Sequence, residues 1–198
     1  NVVCTPHLGA STSEAQENVA LQVAEQMADY LLTGAVTNAL NMPNVTAEEA
    51  RIMGPWIRLA GHLGNFISQM TEEPIKAINI LYDGSVAEMN LPALNCSVIA
   101  GIMKTISPEV NMVSAPVIAK ERGIQISTTN QEQSGAFDGY IKVTVVTEER
   151  ERSIAGTVFS DGKPRFIQIK GINIDAEVGS HMLYTTNNDV PGIIGKLG

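Results

Sequence analysis

The chain has 198 residues, of which 44% are hydrophobic, and a formal net charge of −8. A chain of this length can bury one hydrophobic core and a smaller second cluster. The negative charge argues against nucleic acid and anionic membranes as partners. No apolar stretch approaches the ~20 residues that span a bilayer, and Cys4 and Cys96 lack disulfide or zinc spacing, so we expect a cytoplasmic protein with two buried thiols and no metal.

The first element is a short β-branched run at residues 2–4, which predicts the end of a buried strand. The loop Thr5 to Ser11 follows and carries His7. Because the loop leads directly into a helix, the imidazole is expected where a strand ends and a helix begins, a common position for ligand-binding groups in open α/β folds. On residue type alone, a single loop histidine is more often structural than catalytic.

A long helix is predicted from Ser13 to Thr33. Apolar residues recur every four positions along it, at Val19, Val23, Met27 and Leu31. Ser11 with Glu14, or Ser13 with Gln16, offers a capping box, and Gly34 suits a left-handed end. We expect a second copy of the chain to cover the apolar face; the alternative is that the helix folds back on its own domain.

A linker at 41–45 precedes a second region of helices and one strand. Thr46 and Glu49 predict a capping box, and Pro55 predicts that a fresh helix starts there and runs to Met70. The alternation of residues 75–82 predicts a strand that ends at a turn, Asp83–Gly84. Helices are then predicted at 94–106 and 110–122, with Gly123 as a left-handed cap and a short strand at 123–129.

The remainder is predicted to be rich in β-structure. Strands are expected at 140–147, 152–159 and 165–170, with a hairpin turn at Asp161–Gly162. A further strand is expected at 181–187, and residues 190–198 suggest two turns of helix. Helices that precede strands indicate an α+β fold with a mostly antiparallel sheet.

The N-terminal loop, with Glu14, Ala15, Gln16 and Asn18 after it, resembles the D-2-hydroxyacid dehydrogenase family. Within that family the chain is most similar to the long-form D-3-phosphoglycerate dehydrogenases. Three further segments carry this narrower resemblance: Val110–Asn111, Ala115–Pro116 and Glu121–Gly123. The tail, with its Asp189–Gly192 turn, resembles the start of an ACT domain.

The resemblance implies three parts and an incomplete enzyme. Residues 1–40 would be the end of a Rossmann-type nucleotide domain, whose long helix is left over, and 46–177 an allosteric substrate-binding domain. Residues 180–198 would start an ACT domain of ferredoxin-like fold, which is incomplete here. No glycine-rich βαβ unit precedes the histidine loop, so we expect no turnover from this chain alone.

The resemblance also assigns residue roles. His7 would be the catalytic acid/base in NAD-dependent oxidation of 3-phosphoglycerate during L-serine synthesis, and the backbone of His7, Leu8, Gly9 and Ala10 would lie against the cofactor. An imidazole can take and return a proton near neutral pH, and glycine permits close backbone approach.

Candidate effector-binding residues lie elsewhere. Arg165 stands where long-form members place a basic effector residue, and Lys163 flanks the same turn; Lys104 and Lys142 are further candidates. Another basic position of some members is Glu177 here, which counts against binding of 3-phosphoglycerate at this site. Asn187 and Asp189 would face an amino-acid effector such as L-serine between subunits of a homo-oligomer, although turn capping explains them almost as well.

Two other functions remain open. The chain could be a stand-alone effector-binding or oligomerisation module without catalytic activity, which a gene that starts near Asn1 would favour. A weaker possibility is kinship with the regulatory-type domain of iron–sulfur serine dehydratases, although clustered cysteines are lacking. His62 and His181 are expected to be packing or surface residues.

Overall fold

The computed structural model describes residues 2–6, 9–132, 135–186, 192 and 195. Its helices are α1 (Ser13–Thr33), α2 (Ala47–Gln69), α3 (Leu91–Lys104) and α4 (Ala115–Glu121). Its strands are β1 (Ala77–Gly84), β2 (Gln125–Gln131), β3 (Gly139–Val146), β4 (Glu151–Val158), β5 (Pro164–Ile169) and β6 (Ile172–Glu177). None of the helices among these residues is long and apolar enough to cross a membrane.

The six strands form one sheet in the order β2-β1-β3-β4-β5-β6. Only β1 and β2 pair in parallel; the other neighbours are antiparallel. The parallel pair needs a crossover connection, and α3 and α4 lie in it. The fold is therefore α+β with a mostly antiparallel sheet, as the sequence predicted.

The core lies between the sheet and the helices. Alternate residues of β1 and β3 point into it, and α2 packs across β3, β4 and β5 while α3 packs against α2. Leu59, Leu63 and Ile67 of α2 are fully buried, so one apolar face of this helix points into the core. Burial of one such side chain contributes about 1.5–3 kcal/mol to folding.

Polar side chains cap the N-termini of both long helices. Thr46 and Glu49 form the predicted capping box: Glu49 N–H donates to Thr46 Oγ1 (3.2 Å), and Thr46 N–H donates to Glu49 Oε2 (2.7 Å). In α1, Thr12 is the N-cap and accepts from Ala15 N–H at 3.1 Å, so the predicted serine caps are wrong by one residue. Gly34 ends α1 with a φ of 78°, as expected.

α2 continues through Pro55, where we predicted a new start. A proline in a helix costs a hydrogen bond and crowds the residue before it. That residue is Gly54, which has no Cβ to crowd. Met53 and Trp56 on either side are buried, with 2% and 7% of their surface exposed, so tertiary packing holds the helix together.

Two other elements differ from the sequence prediction. The helix predicted at 110–122 is only α4, because Asn111 Oδ1 accepts from the backbone N–H groups of Val113 (2.9 Å) and Ser114 (3.1 Å) in an Asx turn. β6 was not predicted: its turn needs positive φ at Lys170 (50°) and Gly171 (81°), and lysine is an unusual residue for such a turn.

Neither end of the chain forms the strand that was predicted there. Residues 2–6 have no regular structure, and Val2, Val3 and Cys4 are exposed, because no described strand pairs with them. Residues 182–186 are also irregular. Tyr184 packs edge-on against Phe66 of α2 with ring centroids 5.8 Å apart, so this segment follows the helix rather than the sheet. The helix predicted at 190–198 lies almost wholly outside the described residues.

α1 differs from the other helices because it buries none of its residues. Leu31 is 78% exposed and Leu32 is 84% exposed. The apolar face predicted from the sequence is present, but it contacts little of the described part of the chain.

Candidate functional site

The loop with the predicted catalytic residue lies directly before α1. His7 and Leu8 are outside the described residues. Gly9 and Ala10 form an exposed turn, and a Cβ placed on Gly9 would meet no other atom within 4 Å. The backbone at these two positions is therefore open to approach by a ligand, which is what a cofactor contact requires.

The predicted effector residues Arg165 and Lys163 lie together at one end of the sheet. Each is paired with a carboxylate of β6: Arg165 Nη1 lies 3.1 Å from Asp175 Oδ1, and Lys163 Nζ lies 3.1 Å from Glu177 Oε1. Glu177 Oε2 is also 3.9 Å from Arg165 Nη2. We call these four residues the β5–β6 ion-pair cluster. Its two positive and two negative charges balance.

The Arg165 guanidinium also stacks on an aromatic ring. Its Cζ lies 4.8 Å from the centroid of Phe159. The Nε atom is buried and has no hydrogen-bond partner among the described residues. Glu177 and Asp175 neutralise the cluster, and an anion bound here would have to displace a carboxylate. The other predicted effector residues, Asn187 and Asp189, lie outside the described residues.

A larger concave site opens between the helices and the C-terminal tail. We call it the α2–α3 groove; its volume is about 1530 Å³, and α2, α3, the loop after α3 and residues 178–184 line it. Its basic side chains are Arg58, His62, Lys104, Arg152, Lys170 and His181. Glu72 is the one acidic side chain among the described residues of its lining.

The close crossing of α2 and α3 positions the groove. Gly61 and Gly101 face each other at the crossing, and a Cβ on Gly101 would overlap the Gly61 carbonyl oxygen. A Cβ on Gly64 would likewise overlap the Val98 carbonyl. Ser97 Oγ donates to the Ile57 carbonyl at 2.8 Å and joins the two helices on the groove floor. The glycines let the backbones touch, so side chains of both helices reach the same surface.

Arg152 and Lys170 are already engaged. The Arg152 guanidinium donates to the Met70 carbonyl and lies 3.8 Å from Glu73 Oε2. Lys170 Nζ lies 5.4 Å from the centroid of Tyr184. Arg58 and Lys104, by contrast, have no ion-pair partner in the described part of the chain.

The positive charges of Arg58 and Lys104 both act on His62. Burial lowers the pKa of the His62 imidazole, and the positive charges of Arg58 and Lys104 lower it further. Sequence reasoning considered Lys104 but assigned His62 to packing or the surface and did not single out Arg58. The i, i+4 spacing of Arg58 and His62 was the available signal; that Lys104 shares their surface depends on the helix crossing.

Comparisons with known proteins identify the family of this chain. Residues 52–170 match the family model of the D-3-phosphoglycerate dehydrogenase intervening domain. The chain belongs to this family. The match extends from within α2 to just past the end of β5. It includes the α2 and α3 sides of the α2–α3 groove but not residues 178–184, and it includes Lys163 and Arg165 of the β5–β6 ion-pair cluster but not the carboxylates of β6.

Curated relatives match beyond the intervening domain. The chain is 34% identical over 198 residues to the D-3-phosphoglycerate dehydrogenase of Bacillus subtilis. It is 36% identical over 200 residues to that of Synechocystis and 32% identical over 199 residues to that of Archaeoglobus fulgidus. All of the chain is matched in each case, but it spans only 38%, 36% and 38% of these relatives' lengths.

Proposed function

We propose that residues 1–198 are part of an NAD-dependent D-3-phosphoglycerate dehydrogenase that acts in L-serine biosynthesis in the cytoplasm. The observation that supports this most strongly is the match of the whole chain to enzymes of that name, with the intervening domain at its centre. Residues 1–198 would supply the histidine loop and a regulatory and oligomerisation region. Residues 1–40 would belong to the nucleotide domain and 180–198 to an ACT domain.

In this proposal His7 accepts the hydroxyl proton of 3-phosphoglycerate as the alcohol becomes a ketone. NAD, when bound, supplies the hydride-accepting chemistry. The open backbone at Gly9 and Ala10 is compatible with a cofactor surface beside the histidine. General acid–base catalysis by one positioned side chain contributes about 10²–10⁴-fold to a rate.

The test is an assay of NADH formation by the full-length gene product with 3-phosphoglycerate. His7→Gln should lower kcat by about 10²–10⁴-fold because the proton acceptor is removed. Gln22→Ala, on the exposed surface of α1, is the control and should leave kcat unchanged. Residues 1–198 alone should form no NADH. Full activity in the His7→Gln protein would contradict the assignment, and a gene with no nucleotide-binding unit would favour the stand-alone module.

We also propose that a second copy of the chain covers α1. The exposed apolar residues Leu31 and Met27 are separated by one turn and form one face. Sedimentation of residues 1–198 should show a self-associating species, and the double variant Met27→Glu with Leu31→Glu should be monomeric. Unchanged association of that variant would place the contact elsewhere.

The effector role of Arg165 and Lys163 is a separate part of the proposal. Since Glu177 neutralises their charge, Glu177→Gln should increase the affinity of the full-length enzyme for a carboxylate or phosphate effector at this end of the sheet. Titration calorimetry with 3-phosphoglycerate and with L-serine measures this. Heat from 3-phosphoglycerate that Arg165→Ala leaves unchanged would exclude the cluster as its binding site.

A further inference from the structure

The α2–α3 groove concentrates positive charge on an acidic protein. The formal charge of the chain is −8, yet the described lining of the groove has six basic side chains and one acidic one. On an ordinary surface of such a protein, a lysine or arginine has carboxylates nearby, as Lys76 has Glu148 at 2.7 Å. Arg58 and Lys104 have no such partner among the described residues, so their charge is available to a ligand.

The fold holds these charges together. Arg58 and His62 are one turn apart on α2, and Lys104 is the last residue of α3. The helices cannot move apart without loss of the close packing at Gly64 and Gly101. Arg58 and Lys104 both lower the His62 pKa, so both cations are close enough to act on the same imidazole. Without a ligand, like charges on one concave surface repel, and an anion would relieve this repulsion.

We propose that the α2–α3 groove binds a small anion with a phosphate group, held by Arg58 and Lys104 with His62 as a third hydrogen-bond donor. A guanidinium fork and an ammonium group are the side chains that proteins use most for phosphate. The groove is concave, as small-ligand sites are. It differs from the β5–β6 ion-pair cluster because Arg58 and Lys104 have no ion-pair partner among the described residues.

A bound anion would also connect the helices to the tail. Val178 and Tyr184 also line the groove, where Tyr184 packs against Phe66 of α2 and Lys170 lies against the Tyr184 ring. The tail would lead into the ACT domain proposed above, so a ligand in the groove would lie beside this connection. The binding itself does not rest on the proposed dehydrogenase function and is measured without turnover.

The first experiment is calorimetric titration of residues 1–198 with inorganic phosphate at constant ionic strength. Binding should saturate, and Lys104→Gln and Arg58→Gln should each weaken it about tenfold or more. Lys120→Gln is the matched control, because it also removes a lysine from the last turn of a helix but does not line the groove. It should change the affinity less than about twofold, since it alters only the overall charge.

Three outcomes would overturn the proposal. Phosphate binding that does not saturate, or that Lys104→Gln and Lys120→Gln weaken equally, would show general attraction to cations. Binding lost in Arg165→Gln but retained in Lys104→Gln would place the anion at the β5–β6 ion-pair cluster. Far-ultraviolet circular dichroism of each variant checks that the fold is intact.

The second experiment follows His62 by NMR while pH is varied. The charged and titratable groups that face it are Arg58 on its own helix, Lys104 on α3, and Glu72, Arg152, Lys170 and His181 around the groove. Sulfate is the probe, because it keeps its charge across this range. Without a ligand, the pKa of His62 is lowered by burial and by the two cations. A bound dianion favours the protonated imidazole and should therefore raise this pKa. By linkage, the affinity for sulfate should increase as pH falls through the pKa of His62.

The variants separate a binding role from a structural one. In Lys104→Gln, saturation should need more sulfate, whereas in His62→Gln binding should remain but lose this pH dependence. An unchanged His62 titration at sulfate concentrations that saturate the calorimetric signal would contradict the assignment of His62 to the site.

Discussion

The two long helices of this protein begin in the same way and end in different environments. α1 and α2 are 21 and 23 residues long, and each starts at a threonine whose side chain accepts a backbone hydrogen bond. Both contain regularly spaced apolar residues. Yet α2 buries Leu59, Leu63 and Ile67 completely, whereas α1 buries nothing. An amphipathic pattern therefore specifies which face is to be covered, but a partner must supply the burial.

The largest difference in stability is expected between a variant of a buried leucine in α2 and a variant of an exposed leucine in α1. Leu63→Ala should lower the free energy of unfolding of residues 1–198 by about 2–5 kcal/mol, because it removes fully buried methyl groups and leaves a cavity. Leu31→Ala, at 78% exposure, should change it by less than about 0.5 kcal/mol where the chain is monomeric. Urea unfolding measures both.

Measuring the same two variants at several protein concentrations shows whether α1 is covered by a second copy of the chain. If Leu31→Ala becomes destabilising only at high concentration, a second copy covers α1. A large effect at every concentration would instead show that α1 packs against its own chain, contrary to the structure.

A smaller effect is expected where the backbones of α2 and α3 touch. Gly101→Ala should cost about 1–3 kcal/mol, because its Cβ would overlap the Gly61 carbonyl and force the helices apart. Gly135→Ala is the control, since no atom lies within 4 Å of its Cβ position. Thermal unfolding followed by circular dichroism reports the difference, and equal midpoints for the two variants would disprove the close crossing.

The smallest effect concerns the caps. Thr46→Ala should destabilise the domain by about 1 kcal/mol, because the Glu49 N–H loses its partner at the start of a packed helix. Thr12→Ala removes the equivalent bond from α1. It should increase amide hydrogen exchange in the first turn of α1 and leave the unfolding of the domain unchanged. Loss of domain stability in Thr12→Ala would mean that α1 is coupled to the core.

Local signals predicted most elements but not those that depend on packing. The ends of α1, the Thr46–Glu49 capping box and the hairpin at Gly162 follow from short-range hydrogen bonds and from φ preferences, so they can be read from neighbouring residues. Pro55 was misread because its local preference is to start a helix, and the burial of Met53 and Trp56 outweighs that preference.

The candidate sites show the same division. The histidine loop and Arg165 were found by their resemblance to a family, which is carried by consecutive residues. The pairing of Arg165 with Asp175 and Glu177 was not expected, because β6 was not predicted and its carboxylates are adjacent to Arg165 only through strand register. Arg58 and Lys104 are 46 positions apart in the sequence, so nothing local connects them.

The sequence by itself determined the fold class, the family, the Thr46–Glu49 capping box and the apolar face of α1, because these depend on residue type and on spacing over a few positions. The tertiary structure alone decided that α2 passes through Pro55 and that α1 buries none of its residues. It also decided that Arg58, His62 and Lys104 share one groove. These features arise where distant segments meet: glycines set the distance between two helices, and that distance decides which charges face each other.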